Sequence, residues 1–106
     1  MNRRRLPNRR GSLTFSIECA GLNYTVTTSR FATAEVGEIF ISTRKIGSAA
    51  DTAARDCAIA ASIALQYGAA PETLRRALCR DTNGQASGPL AAALDLLAEG
   101  GAHERR

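Results

Sequence analysis

The hydrophobic period changes once along this 106-residue chain, near Ser48, and that change limits the fold more than any other feature. Before it, apolar and polar residues alternate. Leu13, Phe15 and Ile17 are separated by Thr14 and Ser16, while Tyr24, Val26 and Thr28 are separated by Thr25 and Thr27. Ile39 and Ile41 fall on one side of Phe40. A period of two rich in β-branched residues marks half-buried strands. The segments LTFSI, LNYTVTTSRF and EIFIST are therefore read as three strands, with a turn at Ala20-Gly21 and a loop over 33–37. Short links between successive strands make an antiparallel meander, and a lone sheet of this size needs cover on its apolar face.

After Ser48 the period is helical. Residues 49–67 contain no Gly or Pro and are rich in Ala, the best helix former. Ser48 suits the cap, Asp51 the first turn, and Gly68 the position just past the end. The later part, CAIAASIAL, is apolar nearly all round, which predicts burial on more than one side. Pro71 opens a second helix, PETLRRALCR, with Leu74 and Leu78 inward. Ser87 is read as the cap and Pro89 as the start of a third helix, running through Leu90, Leu94 and Leu97 to Gly100-Gly101. The order β-β-β-α-α-α defines an α+β fold: a three-stranded antiparallel meander followed by, and packed against, three helices. Residues 12–101 are expected to form one domain, with 1–11 a basic flexible arm and 102–106 a disordered tail.

Charge is unevenly spread. Arg3, Arg4, Arg5, Arg9 and Arg10 lie in the first ten residues, whereas all ten acids come later, so the net charge of +4 belongs to the arm rather than the body. This composition argues against a nucleic-acid-binding surface over the whole domain and leaves a basic tail as the candidate. No aromatic residue is interleaved with these arginines, so a stacking platform for single strands is not expected. No apolar run is long enough to cross a membrane, and no secretory leader follows the arginines. Cys19, Cys57 and Cys79 are odd in number, far apart and without a C-x-x-C pair, and the one histidine is His103. Neither a zinc site nor a disulfide framework follows from that spacing. A reducing cytoplasm is expected, with Cys57 and Cys79 in the core and Cys19 the most exposed of the three.

With the elements placed, a set of short strings is informative. RLPNRRGS leads into TFSI; then come the Tyr24–Val26 strand, GEIFI, Lys45 with Gly47-Ser48, and ALQYG followed by Glu72 and Leu74. In this order and spacing, over roughly 4–80, the chain resembles the C-terminal domain of adenosylcobalamin-dependent (class II) ribonucleotide reductases, the TSCPD type. The loop ASGPL stands where that motif falls, with Gly88 in place of its cysteine and Leu90 in place of its aspartate. In that family the radical chemistry resides in a separate ten-stranded barrel with catalytic cysteines and a cobalamin site, and no residue of that set has a counterpart here. The resemblance implies a stand-alone relative of an accessory domain.

Two positions invite an anion. The arm arginines can neutralise phosphates, and Arg44, Lys45, Gly47 and Ser48 combine two cations with a helix N-terminus, although capping alone accounts for Gly47 and Ser48. No catalytic residue, metal ligand or cofactor is expected, and the chain is not read as an enzyme. The expected function is a non-catalytic accessory domain acting through protein contact, with a reductase or another protein as partner. The alternative is a nucleic-acid or nucleotide-phosphate binder using the arm and the RKIGS turn. A third expectation is a small subunit of a reductase built from separate polypeptides. The open edges of a three-stranded sheet also suit a homodimer.

Overall fold

The computed structural model describes residues 2–99, and it contains the expected elements in the expected order. β1 (Ser12–Cys19), β2 (Leu22–Arg30) and β3 (Val36–Thr43) form one antiparallel sheet in the order β1-β2-β3. Three helices follow: α1 (Ala49–Gln66), α2 (Pro71–Ala77) and α3 (Pro89–Glu99). The fold is α+β, with α1 packed along β3 and α3 beneath β1. No helix is long and apolar enough to cross a membrane among the described residues.

The alternation in the first half does what a period of two requires. Phe15 pairs with Val26, and Ile17 with Tyr24, so their side chains share the face that meets the helices. Val26, Ile39 and Ile41 are fully enclosed there with Ala54, Ala58, Leu65, Ala93 and Leu94. The opposite face is open and rich in hydroxyls, Thr14 and Thr27 sharing a hydrogen bond of 3.0 Å across the strands. Ala supplies the helix side of the core because small side chains let α1 approach the sheet closely.

The β1–β2 link is a two-residue turn in which Ala20 (φ 53°) and Gly21 (φ 81°) both adopt left-handed backbone. That geometry matches the twist of the flanking strands but suits Asn-Gly far better than Ala-Gly. Ala20→Asn is expected to raise stability by about 0.5–1 kcal/mol, read as a shift in the urea midpoint.

Gly68 (φ 111°) ends α1 as a Schellman motif: Gly68 N–H donates to Leu65 O (3.1 Å) and Ala69 N–H to Ala64 O (3.0 Å).

Two helical expectations need correction. α2 stops at Ala77 rather than continuing to Arg80; Leu78 is extended (ψ 159°) yet still packs on the core. The reason is Arg80, which forms a β-bridge with Ala86 and sends its guanidinium to Asp95, Gly84 O and Arg75 O. Asp95 also accepts from Arg75 Nε at 2.9 Å, so one carboxylate ties α2 and its following loop to α3. The second correction concerns Ser87. The first bond of α3 runs from Ala92 N–H to Gly88 O, which places Gly88, not Ser87, at the cap. The expected stop at Gly100-Gly101 and the tail 102–106 lie outside the described residues.

Candidate functional site

α1 organises each position the sequence singles out, and Asp51 organises the start of α1. Ser48 Oγ accepts from Asp51 N–H at 3.2 Å, closing the cap. The Asp51 carboxylate reaches back to accept from Thr43 N–H (2.9 Å) and Gly47 N–H (3.1 Å), and Arg55 Nε donates to it at 2.9 Å. It is 1% exposed. These bonds hold its pKa at about 2, the Thr43 N–H contributing most, against the opposing effect of burial. The arrangement departs from a capping box in one bond: the acid three residues past the cap takes the N–H groups of Thr43 and Gly47, while Ser48 N–H donates to Lys45 O (3.2 Å).

This arrangement bears directly on the RKIGS turn. Gly47 (φ 85°) makes the tight entry that was expected, but its N–H is engaged by an internal carboxylate. Asp51 stands where a bound anion would sit, and its charge opposes a phosphate. Arg44 and Lys45 are exposed and have no carboxylate partner among the described residues.

The arm meets the other end of α1. Arg4 N–H donates to Gln66 O (2.6 Å) and Arg3 Nε to Gln66 Oε1 (2.6 Å). The Arg4 guanidinium lies 3.8 Å from the centre of the Phe31 ring and pairs with Glu35 at 2.9 Å. Arg10 Nη2 is 3.3 Å from Glu38 Oε1, an ion pair without hydrogen-bond geometry. Three of the five arm arginines are thus engaged by the body, whereas Arg5 and Arg9 have no carboxylate partner among the described residues. An 18-residue helix spans about 27 Å. The arm and the RKIGS turn lie at its opposite ends and do not form one basic surface.

The cysteines are the reverse of expectation. Cys19 is buried, and Cys57 and Cys79 are exposed. Cys19 has the same parity as Phe15 and Ile17 on β1, so its side chain enters the core with theirs. Cys57 falls on a flank of α1 at the mouth of a groove shared with β2 and α3, and Cys79 falls in the segment left non-helical by the early end of α2. The two line one apolar groove of about 290 Å³ with Tyr24, Leu78, Gly88 and Leu90. Burial raises the Cys57 pKa, which keeps its thiol protonated and poorly nucleophilic. No group of three or more His, Cys, Asp or Glu that could hold a metal ion occurs among the described residues. Leu90 is 5% exposed within the core.

The surface that sequence reasoning missed is the outward face of α1. Ile59, Ile63 and Tyr67, spaced four apart, are 49%, 41% and 41% exposed. The expectation of burial on two sides is not met within this chain; α1 meets the sheet with one face and leaves the other apolar and open. The signal was present in the all-round apolar string CAIAASIAL, but a helical period does not say whether the second cover comes from the same chain. Compared with known proteins, the chain is matched by no family model, no curated protein and no solved structure.

Proposed function

We propose that this chain is a non-catalytic accessory domain that docks onto a larger protein through the outward face of α1. One observation supports this: the ridge of Ile59, Ile63 and Tyr67 on a domain whose other apolar side chains are mostly collected into one core. A helix that is apolar on both faces is normally covered on both, and an exposed aromatic residue flanked by aliphatics has the composition of an interface anchor. The sequence resemblance supplies the partner class, the catalytic polypeptide of a cobalamin-dependent ribonucleotide reductase.

The test mixes the purified chain with such a polypeptide and measures binding by titration calorimetry. Wild type should bind, and Ile63→Asp should weaken binding at least about tenfold with an unchanged far-UV spectrum, because the residue is at the surface. No binding by wild type at high micromolar concentration would sink the reading. Binding that survives Ile63→Asp but fades between about 50 and 200 mM salt would transfer the function to the arm and its phosphate-binding alternative.

A further inference from the structure

The two edges of the sheet are treated differently by this fold. On the β3 edge, α1 side chains take outward backbone groups of Gly37, Ile39 and Thr43. Ser62 Oγ accepts from Ile39 N–H (2.8 Å) and donates to Ile39 O (3.0 Å), Gln66 Nε2 donates to Gly37 O (2.9 Å), and Asp51 takes Thr43 N–H. Three side chains from one helix close that edge to any further strand.

The β1 edge has no such cover among the described residues. Arg30 N–H donates to Gly11 O at 3.2 Å, which together with the β1–β2 register directs the odd-numbered residues of β1 toward β2. The N–H and C=O groups of Ser12, Thr14, Ser16 and Glu18 therefore point away from the sheet. β1 has no proline, no lysine and no bulge, the devices by which edge strands usually discourage pairing. Its core-face residues Leu13, Phe15 and Ile17 are only half-buried, in contrast to Val26 on the central strand β2 and Ile39 on the covered edge β3.

Charge along this edge is polarised. Its head carries Arg9 and Arg10, on the open face beside Ser12 and Phe40. Its tail carries Glu18, in a groove that Asp81 and Glu99 also line. A strand with a basic head and an acidic tail complements a second copy of itself running antiparallel.

We propose that the chain forms a twofold dimer by antiparallel pairing of β1 with β1 of a second copy, giving a continuous six-stranded sheet. Outward backbone groups must face outward groups, so even-numbered residues pair with even-numbered ones. The register that places Thr14 opposite Thr14 sets Ser12 opposite Ser16 and Arg10 opposite Glu18, on both sides of the axis. The same register brings Leu13 beside Phe15 of the other copy, on the face already covered by α3, and completes the burial that each chain alone lacks. Arg10 has donors to spare for this contact, since among the described residues Pro7 O and Glu38 alone engage it. The proposal is independent of docking through α1, whose ridge remains free on the dimer.

Sedimentation equilibrium at low salt reads the result. Wild type is expected to give the mass of two chains, and Thr14→Lys, which sets two like charges face to face at the axis, should raise the dissociation constant at least about tenfold. Glu18→Arg and Arg10→Glu should each weaken the dimer, and the double variant should restore it. That restoration is specific to this register and does not depend on how well Thr14→Lys folds. A monomeric wild type at about 100 μM, or a dimer indifferent to Thr14→Lys and to the charge exchange, would overturn the proposal.

Discussion

Gly37→Ala is expected to destabilise the protein by about 3 kcal/mol, the upper end of what overpacking a core costs. A methyl group on Gly37 would lie 2.5, 2.7 and 2.8 Å from three carbons of the Phe31 ring, closer than carbon atoms approach without displacement. Neither side yields easily. Phe31 is 5% exposed, its N–H is bonded to Glu35 O, and Arg4 lies over its ring. Gly37 sits in β3 and its carbonyl is held by Gln66 of α1. The space is reserved because the β2–β3 link turns back tightly after the register shift at Ser29/Arg30, folding Phe31 over the start of β3. Chemical denaturation of the variant measures the loss. Phe31→Leu in the same chain should recover part of it, since a shorter side chain vacates the clash, and the coupling between the two sites should exceed about 1 kcal/mol. A cost below about 0.5 kcal/mol, or strict additivity with Phe31→Leu, would contradict the packing described.

What could be read from the residues follows from which interactions are periodic. Strand faces were legible because alternation is local: Val26 and Ile39 are buried and Phe40 is 51% exposed, as period two requires. Cys19 obeys the same parity, and its burial was available to anyone who extended the alternation past Ile17. The ends of α1 were legible because Ser48 and Gly68 have chemistry suited only to helix ends. Interactions between distant segments were not. The early end of α2 depends on Arg80 finding Asp95, fifteen residues away, and nothing in PETLRRALCR signals that. Docking of Arg3 and Arg4 on Gln66 is of the same kind, since a run of arginines has the same composition whether solvated or held. The RKIGS turn lies between these cases. The cap was plain, but the decisive group was Asp51, three residues on, whose side chain takes the place an anion would need.

Asp51 is also where pH should act most strongly on this fold. Its carboxyl is held at about 2 in the folded chain, against an ordinary 3.8, principally by Thr43 N–H, with Gly47 N–H and Arg55 adding to the effect. Unfolding releases the carboxyl to its ordinary value, so the unfolded chain takes up a proton between those two pH values that the folded chain refuses. Stability contributed by Asp51 is therefore complete above about pH 4 and is lost as pH falls through 2. Asp95 and Glu72 are lowered as well, by their arginine partners, so acid sensitivity of the wild type alone does not isolate Asp51. The difference from Asp51→Asn does. The amide presents donors where Gly47 N–H and Arg55 also donate, and at pH 7 the variant should melt lower by roughly 10 °C. Thermal melts of both chains from pH 7 to 2 should show a constant gap down to about pH 4 and a closing gap below it. A gap that stays the same at pH 2 would mean that Asp51 acts through the shape of its side chain and not through its charge, and the account of α1's start as a charged tie between β3 and the helix would fail.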